Sequence, residues 1–220
     1  GGAFARSTIF IVNDFDGDGA ADENELDQVT QTTTQAWLVK LRYDRFLSAR
    51  NALYGSSAVS GDEPAGKRFI GSGQLGYSRT LVKSKVHNLV AEGGYDFSYE
   101  DLLGQANALS IHSLRAFVGY QGKLSKDSGV QASTEFLFNL NELDTVTGPI
   151  SPLQDTRFNG TLSLTTKVYG DMSFRFAFLA KYDNAPAPRP NLAVPYADGF
   201  RPLADTLDTR TEAAIIVNFL

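Results

Sequence analysis

The stretch whose reading decides the fold is DMSFRFAFLAKY, Asp171–Tyr182. Met172, Phe174, Phe176, Phe178, Ala180 and Tyr182 alternate with Asp171, Ser173, Arg175, Ala177, Leu179 and Lys181. Successive side chains of a β-strand point to opposite faces. The alternation therefore predicts a strand with one aromatic, apolar face and one face bearing charge, and not a helix.

Working outward, the same pattern recurs. Trp37, Val39, Leu41 and Tyr43 oppose Lys40, Arg42 and Asp44. His87, Leu89, Ala91, Tyr95, Phe97 and Tyr99 oppose Asn88, Glu92, Asp96 and Ser98. Val130, Ala132, Phe136, Phe138 and Leu140 oppose Gln131, Ser133, Glu135 and Asn139, and Ala213, Ile215, Val217 and Phe219 oppose Arg210, Glu212 and Asn218. Ten strands are predicted, near 2–13, 29–44, 47–58, 68–82, 86–99, 108–123, 128–141, 156–169, 171–184 and 208–220. Most reach the ~9–11 residues that cross a bilayer when tilted.

The connections alternate between tight turns (near Arg45, at KSK, SKDSG and YGD) and longer loops such as SGDEPAGK, EDLLGQAN and the proline-rich Asn184–Asp208. Outer-membrane barrels place short turns on the periplasmic side and long loops outside. The expectation is one domain over 1–220: an all-β, antiparallel up-and-down transmembrane β-barrel of about ten strands, or twelve if strands precede Gly1. A soluble β-sandwich or a lipocalin-like barrel is the alternative. The sandwich would have shorter strands and turn its aromatic face inward, and the lipocalin-like barrel usually has fewer strands. Tyr43, Phe46, Tyr77, Tyr99, Tyr120, Tyr169 and Tyr182 near strand ends suit interfacial aromatic girdles.

Composition is compatible with this and excludes other classes. The 220 residues are 42% hydrophobic and include no cysteine, so neither disulfides nor thiolate metal ligands are available. Mean hydropathy is −0.19, and no apolar run is long enough for a membrane helix. The net charge of −5 gives no basic footprint for nucleic acid. Seven of the 25 acidic residues fall between Asp14 and Asp27.

That cluster, DFDGDGAADENE, has the spacing of an EF-hand calcium loop. Asp14, Asp16 and Asp18 occupy positions 1, 3 and 5, with Gly19 at the sharp turn. Ala20 offers a carbonyl, Asp22 a ninth-position carboxylate and Glu25 a bidentate one. The flanking sequence reads as strand and not helix. The expected cofactor is therefore a structural Ca2+ in an exposed loop, of the weak extracellular kind, ~10⁻⁴–10⁻³ M.

Several segments resemble a known family: LRYDRFLSARNALYG, FIGSGQLGYSRTL, LVAEGGYDFSYED, LAKYDNAPAP and the closing DTRTEAAIIVNFL. They are similar to the YdiY-type salt-induced outer-membrane proteins, over Trp37–Leu220. The resemblance implies a small bacterial outer-membrane barrel with no established enzyme activity. Two features depart from it. Phe219 is penultimate where a terminal Phe is common, and the acidic segment reads as an insertion at 14–25.

The expected role is non-enzymatic, structural or interactive, through the outer loops, with outer-membrane lipids and lipopolysaccharide around the barrel and a protein partner at the loops. A narrow channel is the alternative, because Lys40, Arg42, Arg50, Glu92, Arg115, Glu135, Lys167, Arg175, Arg210 and Glu212 are predicted mostly to face the lumen. A rim hydrolase is the second alternative, its one conceivable pair being Asp96 with His112. GSGQLG (Gly71–Gly76) lies within a predicted strand and has no helix after it, so it is read as strand glycines and not as a phosphate loop.

Overall fold

The structure, a computed structural model, describes residues 2–12, 26–103, 105, 107–145, 148–186 and 203–217. Twelve strands run along the chain: β1 (Gly2–Val12), β2 (Leu26–Phe46), β3 (Asn51–Asp62), β4 (Lys67–Lys83), β5 (His87–Leu102), β6 (Leu109–Lys123), β7 (Ser128–Asn139), β8 (Leu143–Thr145), β9 (Gly148–Ile150), β10 (Thr156–Tyr169), β11 (Met172–Asp183) and β12 (Leu207–Val217). Ten form one sheet in the order β1-β2-β3-β4-β5-β6-β7-β10-β11-β12, and β8 pairs with β9 alone. Every ladder is antiparallel and joins strands consecutive in the sheet. This is the all-β, up-and-down order expected from the alternation. Among the described residues no ladder joins β12 to β1, and no helix is long and apolar enough to cross a membrane.

The two faces separate as the sequence pattern requires. On β11, Phe174, Phe176 and Phe178 lie on one face and remain exposed, Phe176 at 39%. Cross-strand partners share a face, so Phe158 and Tyr182, Leu162 and Phe178, and Leu164 and Phe176 continue that surface. Trp37, Phe69 and Tyr99 stand in a row on it, with ring centroids 6.4 and 6.5 Å apart. The buried set is inverted relative to a soluble core: it holds Glu92, Asp96, Glu100, Arg115, Asn139 and Asp155, whereas its apolar members include small Ala52 and Ala177.

The sheet curls toward its polar face. In a flat sheet, strands three apart are ~14 Å from each other. Yet Arg42 on β2 meets Glu92 on β5 at 2.6 Å, Arg115 on β6 meets Tyr54 on β3 at 2.8 Å, and Arg157 on β10 meets Glu100 on β5 at 2.6 Å. Side chains span those intervals only from the inside of a strong curve.

Three boundaries differ from expectation. The turn expected near Arg45 lies at 47–50, because Arg45 and Phe46 stay in register with Leu53 and Ala52. There the Asn51 amide donates to Ser48 Oγ at 2.7 Å, which closes the turn. Half of SGDEPAGK is strand; a 3₁₀ turn, Glu63–Ala65, separates β3 from β4, and it ends on Gly66 at φ 78°. Within the long loop after β7, β8 and β9 form a small hairpin that periodicity could not reveal in three-residue strands.

The first ladder is offset. β1 pairs with the Leu26–Trp37 half of β2, whereas β3 pairs with the Ala36–Phe46 half. The β1–β2 hairpin thus extends beyond β3 on the long-loop side, and its last pair is Val12 with Leu26.

Candidate functional site

The inner face is organised around Arg115. It stands on β6 between Ser113 and Phe117, the inward positions of an alternating strand whose outward members are Leu114 and Ala116. Its Nη1 donates to Glu92 Oε2 at 2.9 Å and to the Tyr54 hydroxyl at 2.8 Å, and its Nε donates to Glu135 Oε1 at 2.5 Å. Glu92 also accepts from Arg42 Nη2 at 2.6 Å, and Arg42 pairs with Asp44 at 2.8 Å. The Glu92 and Arg115 side chains are 4% and 5% exposed. A buried charge is tolerated only where it is paired and hydrogen-bonded. Here two guanidinium groups interleave with three carboxylates, and Asn159 adds a bond to Glu135 Oε2 at 3.3 Å.

Tyr54 packs this network down. Arg42 lies over its ring at 4.5 Å and Arg115 at 5.5 Å, distances at which a cation is held by the aromatic face. Its ring lies along the sheet because β4 and β5 offer paired glycines, Gly76 and Gly94, beneath it. A Cβ at Gly76 would stand 2.6 Å from the Tyr54 hydroxyl and 2.5 Å from the Gly93 carbonyl. Of the strand glycines of GSGQLG, Gly76 and Gly71 therefore serve close approach, Gly71 to the Phe69 ring, whereas Gly73 has open space beside it.

Above the network, at the long-loop end, lies a vestibule of about 970 Å³ lined by Glu100, Arg157, Asn159, Lys181, Asp183 and Asp208, among others. Arg157 bonds Glu100 at 2.6 Å and Asp155 at 3.0 Å, and Asp183 lies 3.7 Å away. Asp155 is held in place by its backbone, which exchanges hydrogen bonds with Asn139. Its carboxyl is pushed up to about 6, chiefly by burial and also by the Asp183 carboxylate; the Arg157 charge opposes the rise.

Of the predicted lumen charges, Arg42, Glu92, Arg115 and Glu135 join in the network. Arg210 and Glu212 pair with each other on β12 at 2.9 Å and stay exposed, and Arg50 lies in the 47–50 turn, outside the lumen. The calcium-loop residues Asp14, Asp16, Asp18, Ala20, Asp22 and Glu25 lie outside the described residues, as does most of the proline-rich loop. Among the described residues, no group of three or more His, Asp or Glu is placed to hold a metal ion. The sequence reading missed Tyr54, Asp155 and Arg157. Tyr54 sits in NALYGSSAVSGD, where small residues on both faces blur the alternation, and Asp155 and Arg157 straddle the start of β10.

Asp96 and His112 do not meet. Asp96 pairs across with Ser113 and is buried inside, where Gln74 donates to it at 2.8 Å. His112 pairs with Phe97 on the outer face, 5.2 Å from its ring, and bonds the Tyr95 hydroxyl. His87, also outward, bonds the Tyr120 hydroxyl at 2.8 Å.

A family model described as a protein of unknown function, DUF481, covers residues 13–193. The YdiY-type proteins that the chain resembles fall in that family. The matched span takes in the acidic segment, which the resemblance left outside, and it stops short of Leu220. No curated protein matches the chain.

Proposed function

The chain belongs to the DUF481 family of proteins of unknown function, and from that premise we propose that it is a non-enzymatic outer-membrane β-barrel, one domain over 1–220, that acts through its outer loops. The observation that supports this reading is the inversion of the two faces. Buried Glu92, Arg115 and Asp155 lie inside, and exposed Phe174, Phe176, Phe178, Leu114 and Val118 lie outside. Water would penalise the outer face and hydrocarbon would favour it.

The Arg42–Glu92–Arg115–Glu135 lattice favours a sealed interior over a narrow channel, since it crosses the lumen with its charges already mutually satisfied. Calcium in the 14–25 loop would neutralise a cluster of carboxylates at the tip of the projecting β1–β2 hairpin and fix its shape for a partner outside the cell.

Gel migration before and after boiling, in detergent with and without calcium, tests the reading. A faster-migrating unboiled form is expected, with an unfolding temperature that calcium raises in the parent and not in Asp16→Asn/Glu25→Gln. Solubility without detergent and no migration shift would refute the membrane barrel. In planar bilayers, silence is expected; steady unitary conductance would favour the channel.

A further inference from the structure

The arginines at the two ends of the sheet are treated differently, while Lys67 and Lys181 at the long-loop end form no ion pair among the described residues. At the long-loop end Arg68 is neutralised by Asp101 and Arg157 by Glu100 and Asp155. At the short-turn end, the turns 47–50, 84–86 and 124–127 are flanked or occupied by Arg45 and Arg50, Lys83 and Lys85, and Lys123 and Lys126. Among the described residues none of these six forms an ion pair; Lys83 Nζ donates only to the Ala49 carbonyl, at 3.0 Å. The acids in the short turns at this end are Asp127 and, in the fourth turn between β10 and β11, Asp171. A chain of net charge −5 thus keeps an unneutralised cationic collar at one end.

On the outer face just above that collar runs a groove of about 610 Å³, walled by Leu41, Tyr43, Leu75 and Tyr95 and floored by Gly55 and Gly73. Its lower row is Tyr43–Gly55–Leu75 in cross-strand register, and the next row toward the turns is Arg45–Leu53–Tyr77. Arg79 follows one row further, opposite Asn51. At ~3.4 Å per residue, Arg45 lies ~7 Å and Arg79 ~14 Å along the strands from the groove. Both are exposed, and neither has a carboxylate partner among the described residues.

We propose that this groove and the collar beneath it bind an anionic phospholipid, with an acyl chain along Leu41–Tyr43–Leu75–Tyr95 and the headgroup phosphate on Arg45 and Arg79. A guanidinium presents paired N–H donors that match phosphate oxygens. Basic residues beside a membrane surface select anionic over zwitterionic lipid at roughly fivefold per charge. The one charged residue lining the groove, Arg42, is already paired with Asp44 and Glu92, so the selectivity resides in the collar and the seating in the groove. The assignment rests on the membrane reading above, which alone would give unselective lipid contact.

The test is native mass spectrometry of the full chain released from detergent, titrated with phosphatidylglycerol or with phosphatidylcholine of the same acyl chains. The parent should retain phosphatidylglycerol at least tenfold better, and Arg45→Gln/Arg79→Gln should bring the two lipids level. Gly73→Leu fills the groove without meeting any atom within 4 Å of the new Cβ. It should weaken retention of both lipids while leaving their ratio unchanged. Equal retention by the parent overturns the proposal, as does displacement of the lipid by soluble glycerol phosphate. Quenching of Trp37, the single tryptophan, by brominated phosphatidylcholine in vesicles reports membrane insertion separately. A chain that is quenched but unselective refutes the collar site alone; one that is unquenched refutes the membrane reading.

Discussion

Asp155 shows how one side chain makes the outer end of the molecule sensitive to pH. Its side chain is 1% exposed. Burial and the Asp183 carboxylate raise its folded value from 3.8 to about 6, with Arg157 and Glu100 completing its charged surroundings. Between about pH 4 and 6 the folded chain holds a proton that the unfolded chain has released. The sign follows: this contribution to stability is full below the unfolded value and is lost as pH rises through about 6. Asp155→Asn should flatten the fall in unfolding free energy between pH 4 and 7. The check is a set of denaturant titrations of both proteins across that range, and parallel slopes would refute it. Nothing in the sequence pointed to Asp155. It precedes a strand in the loop SPLQD, and only folding brings β11 and β5 to it.

At the scale of elements, legibility followed contrast. β11 was plain because every outward position but Ala180 is large and most inward ones are polar or small. β3 was misplaced by four residues because Gly55, Ser56, Ser57 and Ala58 offer no such contrast. Ser56 faces inward and bonds Gln74 at 3.1 Å, whereas Gly55 lies on the outer face against Leu75; the room for Tyr54 comes from Gly76 and Gly94. Gly76 is one of the tight cases, since an added Cβ would press against the Gly93 carbonyl, which belongs to a paired backbone and does not yield as a side chain would. Gly76→Ala should cost about 1–3 kcal/mol as overpacking and displace the Tyr54 ring. Equilibrium unfolding measures the first, and the near-ultraviolet tyrosine signal reports the second. A neutral substitution would mean that the β4–β5 ladder relaxes freely there.

For the whole molecule, fold class and strand order could be read from period-two alternation, and the identity of the lumen residues on the clear strands came with them. Curvature could not be read. It depends on which inward side chains meet across three strands, and alternation assigns a face without assigning a distance. Arg42 and Glu92 were both placed inside by sequence; their 2.6 Å contact is a property of the curl.

The unbroken order of the sheet has a consequence in time. Most ladders join consecutive strands over short turns; β7 with β10 closes over the β8–β9 hairpin and β11 with β12 over residues 184–206, at an entropic cost that grows only slowly with loop length. The contacts that reach furthest in sequence are the lumenal ones: Arg42 to Glu92 spans 50 residues, Arg157 to Glu100 spans 57, and Arg115 to Tyr54 spans 61. Strands therefore assemble hairpin by hairpin, and the charged lattice closes last, as a latch. Glu92→Gln, which leaves Arg42 and Arg115 each short of a partner, should destabilise by about 3–5 kcal/mol. Nearly all of that loss should appear as faster unfolding, with little change in the folding rate. Equal effects on both limbs of the kinetics would place the lattice in the nucleus instead. A latch set last is the first to be released, which makes Glu92 the timer of how long a folded molecule endures.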